Sequence, residues 1–190
     1  MKREQIEILV EEPSMDNFLR VILPKILPEG YKLNDNCFIR PHEGKHDLQK
    51  AIPIKARAYK HHHLPVKIII ICDQNSSDCI ILKKRLVKSI TDNCKLPHLV
   101  RIVCRELECW YLGDLNAVED VYPQSKATRY INKAKFRNPD LLNGANEMEN
   151  LCQDFTKGYA SREIPKRMRL NKNNSPSYHH LMSGIPNLLS

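Results

Sequence analysis

Acidic residues follow three separate apolar segments of this chain. Their positions are the first indication of a functional site in the sequence. The segments are IEILV, VKIIIIC and HLVRIVC, and each is typical of a buried β-strand. Carboxylates that gather in one place repel each other unless a cation binds between them. The acids therefore predict a divalent-cation site, provided that the fold brings the three segment ends together. The polar residues that follow the segments are, in chain order, Glu11 and Glu12, then Asp73, Asn75 and Asp78, then Glu106 and Glu108.

The elements that would position these acids alternate between strand and helix over the first 120 residues. This alternation predicts an α/β fold with a mostly parallel four-stranded sheet, right-handed crossovers and flanking helices. The near-continuous β-branched run at 66–72 indicates a strand covered on both faces. The predicted strands are 6–12, 37–41, 66–72 and 98–104. The predicted helices are 13–27, 46–59 with a kink or an interruption at Pro53, 76–90 and 106–122.

Parallel strands direct their carboxyl ends to one edge of a sheet, which is where open α/β sheets hold ligands. We therefore expect Glu11, Asp73 and one of the two later glutamates to converge on that edge. If 106–122 is helical throughout, Glu106 and Glu108 lie about 200° apart around the helix, so only one reaches the edge. We favour Glu106.

Local roles compete with the cation-binding interpretation at two of these positions. Asn75 and Asp78 precede a predicted helix at a spacing that resembles a capping box, so Asp78 is interpreted either as a cap or as a metal ligand. Glu12 stands next to Pro13 and suits the first turn of a helix, where acids are favourable. The sequence leaves these alternatives open.

The chain becomes polar and basic from about residue 123. We predict an α/β core at 1–122 and a basic, mainly helical extension at 123–190, ending in a tail that docks through Leu and Ile residues. The formal net charge of +8 suits a binder of polyanions, although a solvated basic face or an acidic protein partner fits it too. The candidate contacts to phosphate are Lys45, Arg105, Lys157 and Arg162.

Cysteine usage and hydropathy predict where the protein works. Seven cysteines without a CxxC pair indicate free thiols in a reducing compartment rather than disulfides or a zinc site. No segment approaches the roughly 20 apolar residues of a membrane span, and the N-terminus lacks a secretory pattern. We expect a cytoplasmic protein without a membrane partner.

Several blocks of the sequence resemble the Toprim fold, which topoisomerases, primases and the nuclease domain of OLD-type proteins share. The blocks are ILVEEPSMDNFLRVILP, IIIICDQNSSDC and RIVCRELECWYLGD. Together with KGYASREI and NNSPSY, they are similar to an uncharacterised bacterial Toprim-related family often encoded beside ATPases in phage-defence islands. The resemblance covers nearly the whole chain.

The resemblance implies roles for individual residues. Glu11 takes the place of the Toprim glutamate, Asp73 that of the first aspartate of an Asp-x-Asp motif, and Glu106 or Glu108 that of a later acid. The second aspartate of the motif is Asn75 here, which removes one negative charge from the site. Asp78 compensates for that loss if its side chain turns inward.

The sequence leads to two functional hypotheses. The first is a nuclease that uses Mg²⁺ or Mn²⁺ and acts on nucleic acid, as the effector of an ATPase partner in phage defence. Its catalytic residues would be Glu11, Asp73, Glu106 and Glu108, with Asn75 and Asp78 as further metal ligands. The second is a non-catalytic module that binds nucleic acid or a partner protein, with a metal site eroded at Asn75.

Overall fold

The computed structural model describes residues 2–190 and contains one four-stranded sheet in which every neighbouring pair is parallel. The strand order is β2-β1-β3-β4, so β1, which Glu11 follows, and β3, which ends at Asp73, are adjacent at the centre. The predicted α/β class with its parallel sheet and flanking helices is confirmed. The strands are β1 (Gln5–Val10), β2 (Cys37–Pro41), β3 (Val66–Asp73) and β4 (His98–Val103).

Helices connect the strands and continue beyond them. Three helices lie between the strands, and five follow β4, with short 3₁₀ turns between residues 123 and 141. The helices are α1 (Pro13–Ile26), α2 (Lys45–Tyr59), α3 (Cys79–Thr91), α4 (Glu108–Leu112), α5 (Leu115–Val121), α6 (Gly144–Leu151), α7 (Lys157–Arg167) and α8 (Pro176–Leu189).

Both faces of the sheet are covered. Alternate residues of β3 point to opposite sides, so Ile69 and Ile71 pack in the larger apolar cluster with α1 and the C-terminal helices. Ile68 and Ile70 pack in the smaller cluster with α2 and α3. All four side chains are at most 1% exposed. This double burial is why β3 is an almost unbroken run of isoleucine.

Two helices differ from their predicted form. The predicted helix 106–122 is divided into α4 and α5 because Asp114 accepts a hydrogen bond from the backbone N of Ala117 (3.4 Å) and caps a new helix. A kink or an interruption of α2 was expected at Pro53, and the helix runs through the proline without interruption. Ile52 and Ala56 bury the same face of α2 on either side of the proline, and this packing offsets the missing backbone hydrogen bond.

The C-terminal extension completes the larger core. α7 packs on α1, where the side-chain amide of Asn17 donates to the Ser161 hydroxyl (3.1 Å). α8 packs against β4, where the guanidinium of Arg101 donates to the carbonyl of His180 (2.8 Å). One apolar cluster therefore contains residues from both the first strand and the last helix.

The predicted tail is a 14-residue helix joined to the core by the NNSPSY stretch. Asn173 donates from its side-chain amide to the carbonyl of Trp110 (2.7 Å) and accepts from the backbone N of Ser175 (2.8 Å). The backbone N of Asn174 donates to the carbonyl of Gly113 (2.9 Å). Ser175 then caps α8 by accepting from the backbone N of Tyr178 (3.1 Å).

The structure also bears on the cysteines and on membrane insertion. All seven cysteines are free, as predicted from their spacing, and five of them are buried. Within residues 2–190, no helix combines the length and the apolar character that crossing a bilayer requires.

We predict that Gly113→Ala destabilises the protein. A Cβ atom at this position would lie 2.0 Å from Oδ1 of Asn173, which cannot retreat without losing its bonds to Trp110 and Ser175. We expect the free energy of unfolding to fall by roughly 1–3 kcal/mol, measured by chemical denaturation. Gly158→Ala is the matched control, because its nearest such contact is 3.8 Å away, to Arg162. Equal stability of the two variants would contradict the prediction.

Candidate functional site

The side chain of Glu11 connects the ends of the two central strands. It is 5% exposed, and its Oε2 accepts hydrogen bonds from the backbone N of Asp73 and the thiol of Cys72, both at 3.1 Å. Its Oε1 accepts from the side-chain amide of Asn75 at 3.4 Å. The predicted convergence of the first and third strand ends is therefore present, and Glu11 itself forms the link.

Asp73 ends β3 in an environment that disfavours its charge. Its pKa lies well above its usual value, mainly because the carboxyl is desolvated and further because of the negative charges of Glu11, Glu108 and Glu12. The ammonium of Lys157 opposes this shift only in part.

Glu108 is the first residue of α4 and is 2% exposed. One of its oxygens, Oε2, is buried without a hydrogen-bond partner, and Oε1 lies 3.7 Å from Nζ of Lys157. Burial raises its pKa, Lys157 opposes the shift, and Glu106 and Glu12 add to it. We call Glu11, Glu12, Asp73, Glu106 and Glu108 the acidic cluster.

Glu106 is less buried than Glu108, and it accepts a hydrogen bond from α6. We favoured it over Glu108, but the structure buries Glu108 beside Asp73 and leaves Glu106 half-buried in the loop before α4. Its Oε1 accepts from the backbone N of Ala145 (2.9 Å) at the start of α6. The placement differs from the expected one because α4 begins only at Glu108, so Glu106 lies in the preceding loop and not on the same helix.

Lys157 provides positive charge within the acidic cluster. It is the first residue of α7, and its side chain is 49% exposed. Burial lowers its pKa, but the charges of Glu108, Glu12, Glu106 and Asp73 outweigh that effect and raise it overall. The sequence indicated Lys157 only as a phosphate contact, because nothing local shows that α7 packs on α1 and reaches the sheet edge.

A second buried acid, Glu7, has partners that offset the cost of burying its charge. Glu7, in the middle of β1, is 1% exposed, and Arg40 pairs with it at 2.9 Å and 3.1 Å. The Tyr59 hydroxyl also donates to it (2.8 Å). Burial raises the pKa of Glu7, but these bonds outweigh burial and lower it overall. Glu108 lacks such partners, so its charge is poorly compensated.

Three other predicted site residues have different surroundings. The Asp78 carboxylate caps α3 by accepting from the backbone N of Ile81 (2.8 Å), which favours the capping interpretation. The ammonium of Lys45 donates to the Gln74 carbonyl (2.9 Å) and the Ser77 hydroxyl (3.1 Å), so it holds the loop after β3. Arg162 is exposed on α7.

Hydrogen bonds join the loop after β3 to the loop after β4, and one residue of each loop has a left-handed backbone conformation. Asn75 has φ 52° and Arg105 has φ 62°. The backbone N of Asn75 donates to the carbonyl of Arg105 (2.9 Å), and the backbone N of Arg105 donates to the side chain of Gln74 (3.1 Å). Asparagine tolerates this conformation better than most residues, which gives Asn75 a structural reason to be there.

The donor set of the acidic cluster suits a hard divalent cation. Its atoms are carboxylate oxygens, which Mg²⁺ prefers, and Oε2 of Glu108 is buried without a partner. Among residues 2–190, however, no three His, Cys, Asp or Glu side chains are close enough together to hold a metal ion as they stand. The chemistry therefore fits Mg²⁺ or Mn²⁺, while binding would require rotamer changes within the cluster.

We predict that Asp73→Asn stabilises the protein at neutral pH. A raised pKa means that the folded state binds the proton more tightly, so wild-type stability falls as pH rises from about 4 through the raised pKa. Above that window the variant should be more stable by about 1 kcal/mol or more. The gain should vanish as pH falls toward about 4.

Chemical denaturation across this pH range measures the effect. Asp78→Asn is the matched control, because asparagine caps a helix as well as aspartate does and should change stability by about 0.5 kcal/mol or less. A gain for Asp73→Asn that persists unchanged at low pH would show that charge burial is not its cause.

Comparison with protein families matches residues 10–185 to a family described as Domain of unknown function (DUF4276). The matched region contains the whole acidic cluster, the NNSPSY stretch and most of α8. Neither the curated proteins nor the solved structures include a match to this chain. Because the match covers almost the entire sequence, the chain belongs to the DUF4276 family.

Proposed function

We propose that this protein is a Toprim-type phosphodiesterase that hydrolyses nucleic acid with Mg²⁺ or Mn²⁺. The observation that carries the proposal is the poorly compensated charge of the acidic cluster at the carboxyl edge of a parallel sheet. Two of its members, Asp73 and Glu108, have raised pKa values, which is common at functional sites. The position of Glu11 directly after β1 and of Asp73 at the end of β3 supports the Toprim assignment.

The residues of the acidic cluster would have different roles in the reaction. Asp73, Glu11 and Glu108 would hold the cation, which would polarise the scissile phosphate and lower the pKa of its bound water. Glu11 keeps the loop after β3 in position through its bonds to Asp73 and Asn75. Nζ of Lys157 lies 3.7 Å from Oε1 of Glu108 and would offer an ammonium to a phosphate oxygen.

Charge outside the acidic cluster favours a nucleic-acid substrate. The chain carries a net charge of +8 although its candidate site is negative. A polyanion is therefore attracted to the protein as a whole, and a bound cation would let its phosphate approach the acidic cluster more closely. Arg105 and Arg162 are exposed and are the proposed backbone contacts.

We predict that the purified protein cleaves plasmid, single-stranded DNA or RNA when Mg²⁺ or Mn²⁺ is present. Asp73→Asn should reduce the cleavage rate by about a hundredfold or more, because it removes one carboxylate ligand of the cation. Removal of a residue that only orients a metal ligand already lowers activity strongly, and removal of the ligand itself should lower activity at least as much. Product formation on gels measures the rate. Asp78→Asn, in the same loop, should retain wild-type activity. Cleavage by Asp73→Asn at the wild-type rate would refute the proposal.

A second candidate function is binding of nucleic acid or of a partner protein without catalysis. The observation that favours it is the amide of Asn75, which donates to Glu11 where the motif of the resembling family has a second aspartate. An amide donor stabilises the glutamate without a cation. A module of this kind would show salt-sensitive binding without turnover.

We predict that Asn75→Asp makes the melting temperature of the protein depend more strongly on Mn²⁺. The change replaces a donor to Glu11 with a second carboxylate, so the melting temperature in chelator should fall and Mn²⁺ should restore it. Asn34→Asp is the matched control, because Asn34 is also left-handed and is exposed away from the acidic cluster. No Mn²⁺ response in Asn75→Asp would contradict a metal position at this residue.

The same variant separates the two functions. Cleavage that appears only in Asn75→Asp would favour an eroded site, whereas an active wild type favours the nuclease. The proposal also includes an ATPase partner acting in phage defence, which rests on the resemblance, since the sequence contains no phosphate-binding loop of the Walker type. An ATPase encoded beside this protein should make its cleavage depend on ATP.

A further inference from the structure

We propose that a cleft beside the acidic cluster binds one unpaired nucleotide, which makes single-stranded nucleic acid the preferred substrate. This inference rests on the proposed function. The cleft has a volume of about 440 Å³, within the range of about 300–1,000 Å³ that is usual for small-ligand sites. We call it the side cleft, and its lining residues are Asn75, Ser76, Arg105, Glu106, Leu141 and Asn143.

The position of the side cleft suits the nucleotide next to the scissile phosphate. Asn75 and Glu106 line the cleft, and they also contact or belong to the acidic cluster. A phosphate held near Asp73 therefore has its neighbouring sugar and base at the mouth of the cleft. The polynucleotide chain would leave the acidic cluster in this direction.

The lining of the side cleft matches the chemistry of a base. Leu141 is 72% exposed, more than any other large apolar residue in the described part of the chain, and offers an apolar surface to the face of a base. Arg105 is exposed, and within residues 2–190 its guanidinium has no carboxylate partner. Guanidinium groups bind phosphate and stack on bases. Asn75 and Asn143 provide amides for the polar edge of the base.

The walls of the side cleft are fixed before a ligand arrives. The left-handed backbones of Asn75 and Arg105 are held by their mutual hydrogen bond and by Gln74. Unusual backbone conformations of this kind persist only where the surrounding structure determines them, and they concentrate at ligand sites. Asn143 is fixed in turn as the cap of α6.

The expected preference for a single strand follows from access to the base. In a duplex each base is stacked and paired, so it can enter the side cleft only after extrusion, which costs free energy. An unpaired base does not bear that cost. The protein should therefore bind a single strand more tightly than a duplex of the same length and charge per strand.

The test is equilibrium binding in chelator, where cleavage cannot interfere. A labelled single strand, in DNA and RNA versions, is compared with the matching duplex and with a nucleoside monophosphate. We expect the wild type to prefer at least one single strand. Leu141→Ser should weaken that binding by about tenfold and leave duplex binding unchanged. Arg105→Ala also removes a proposed backbone contact, so it should weaken single-strand binding by about tenfold and duplex binding by less.

The controls are Arg3→Ala, at the opposite edge of the sheet, and Ile54→Ser, which removes an exposed apolar residue from α2. Both should bind as the wild type does, and circular dichroism checks that all four variants are folded. Equal affinity for strand and duplex, tighter binding of the free nucleotide, or unchanged binding by Arg105→Ala and Leu141→Ser would overturn the inference. Asp73→Asn should still prefer the single strand, so loss of cleavage alone does not affect the result.

Discussion

The hydrogen bond from the backbone N of Asp73 to the carboxylate of Glu11 is the contact on which the candidate site depends. It forms because β1 and β3 are adjacent, parallel and in register, so that both chains leave the sheet at the same edge. The bond gives Glu11 a partner in a place where water is largely excluded. It also fixes the direction in which the loop after β3 departs.

The charges of the acidic cluster reduce the stability of the fold. Burial and mutual repulsion raise the pKa of Asp73 and Glu108, which means that their charged forms cost stability. The fold fully compensates Glu7 with Arg40 and Tyr59, so the same sheet is able to neutralise a buried acid. The proposed cation would restore this stability by binding only the folded state.

The C-terminal extension is part of the candidate site because it delivers Lys157. Its docking depends on a buried polar network in which Asp140 accepts from the backbone N of Ser177 (2.8 Å) and the hydroxyl of Ser175 (2.5 Å). The Ser177 hydroxyl accepts in turn from the indole of Trp110 (2.8 Å). These bonds satisfy polar groups that would otherwise be costly to bury, and they fix α8 on the core. The NNSPSY stretch is thus structural.

The sequence by itself determined the α/β class, the parallel sheet and the convergence of Glu11 with Asp73. These follow from local periodicity and from the common direction of parallel strands, which need no knowledge of side-chain packing. The tertiary structure decided that Glu108 rather than Glu106 is buried beside Asp73, and that Lys157 reaches the acidic cluster. Both depend on contacts between segments far apart in the chain, and local sequence patterns do not encode such contacts.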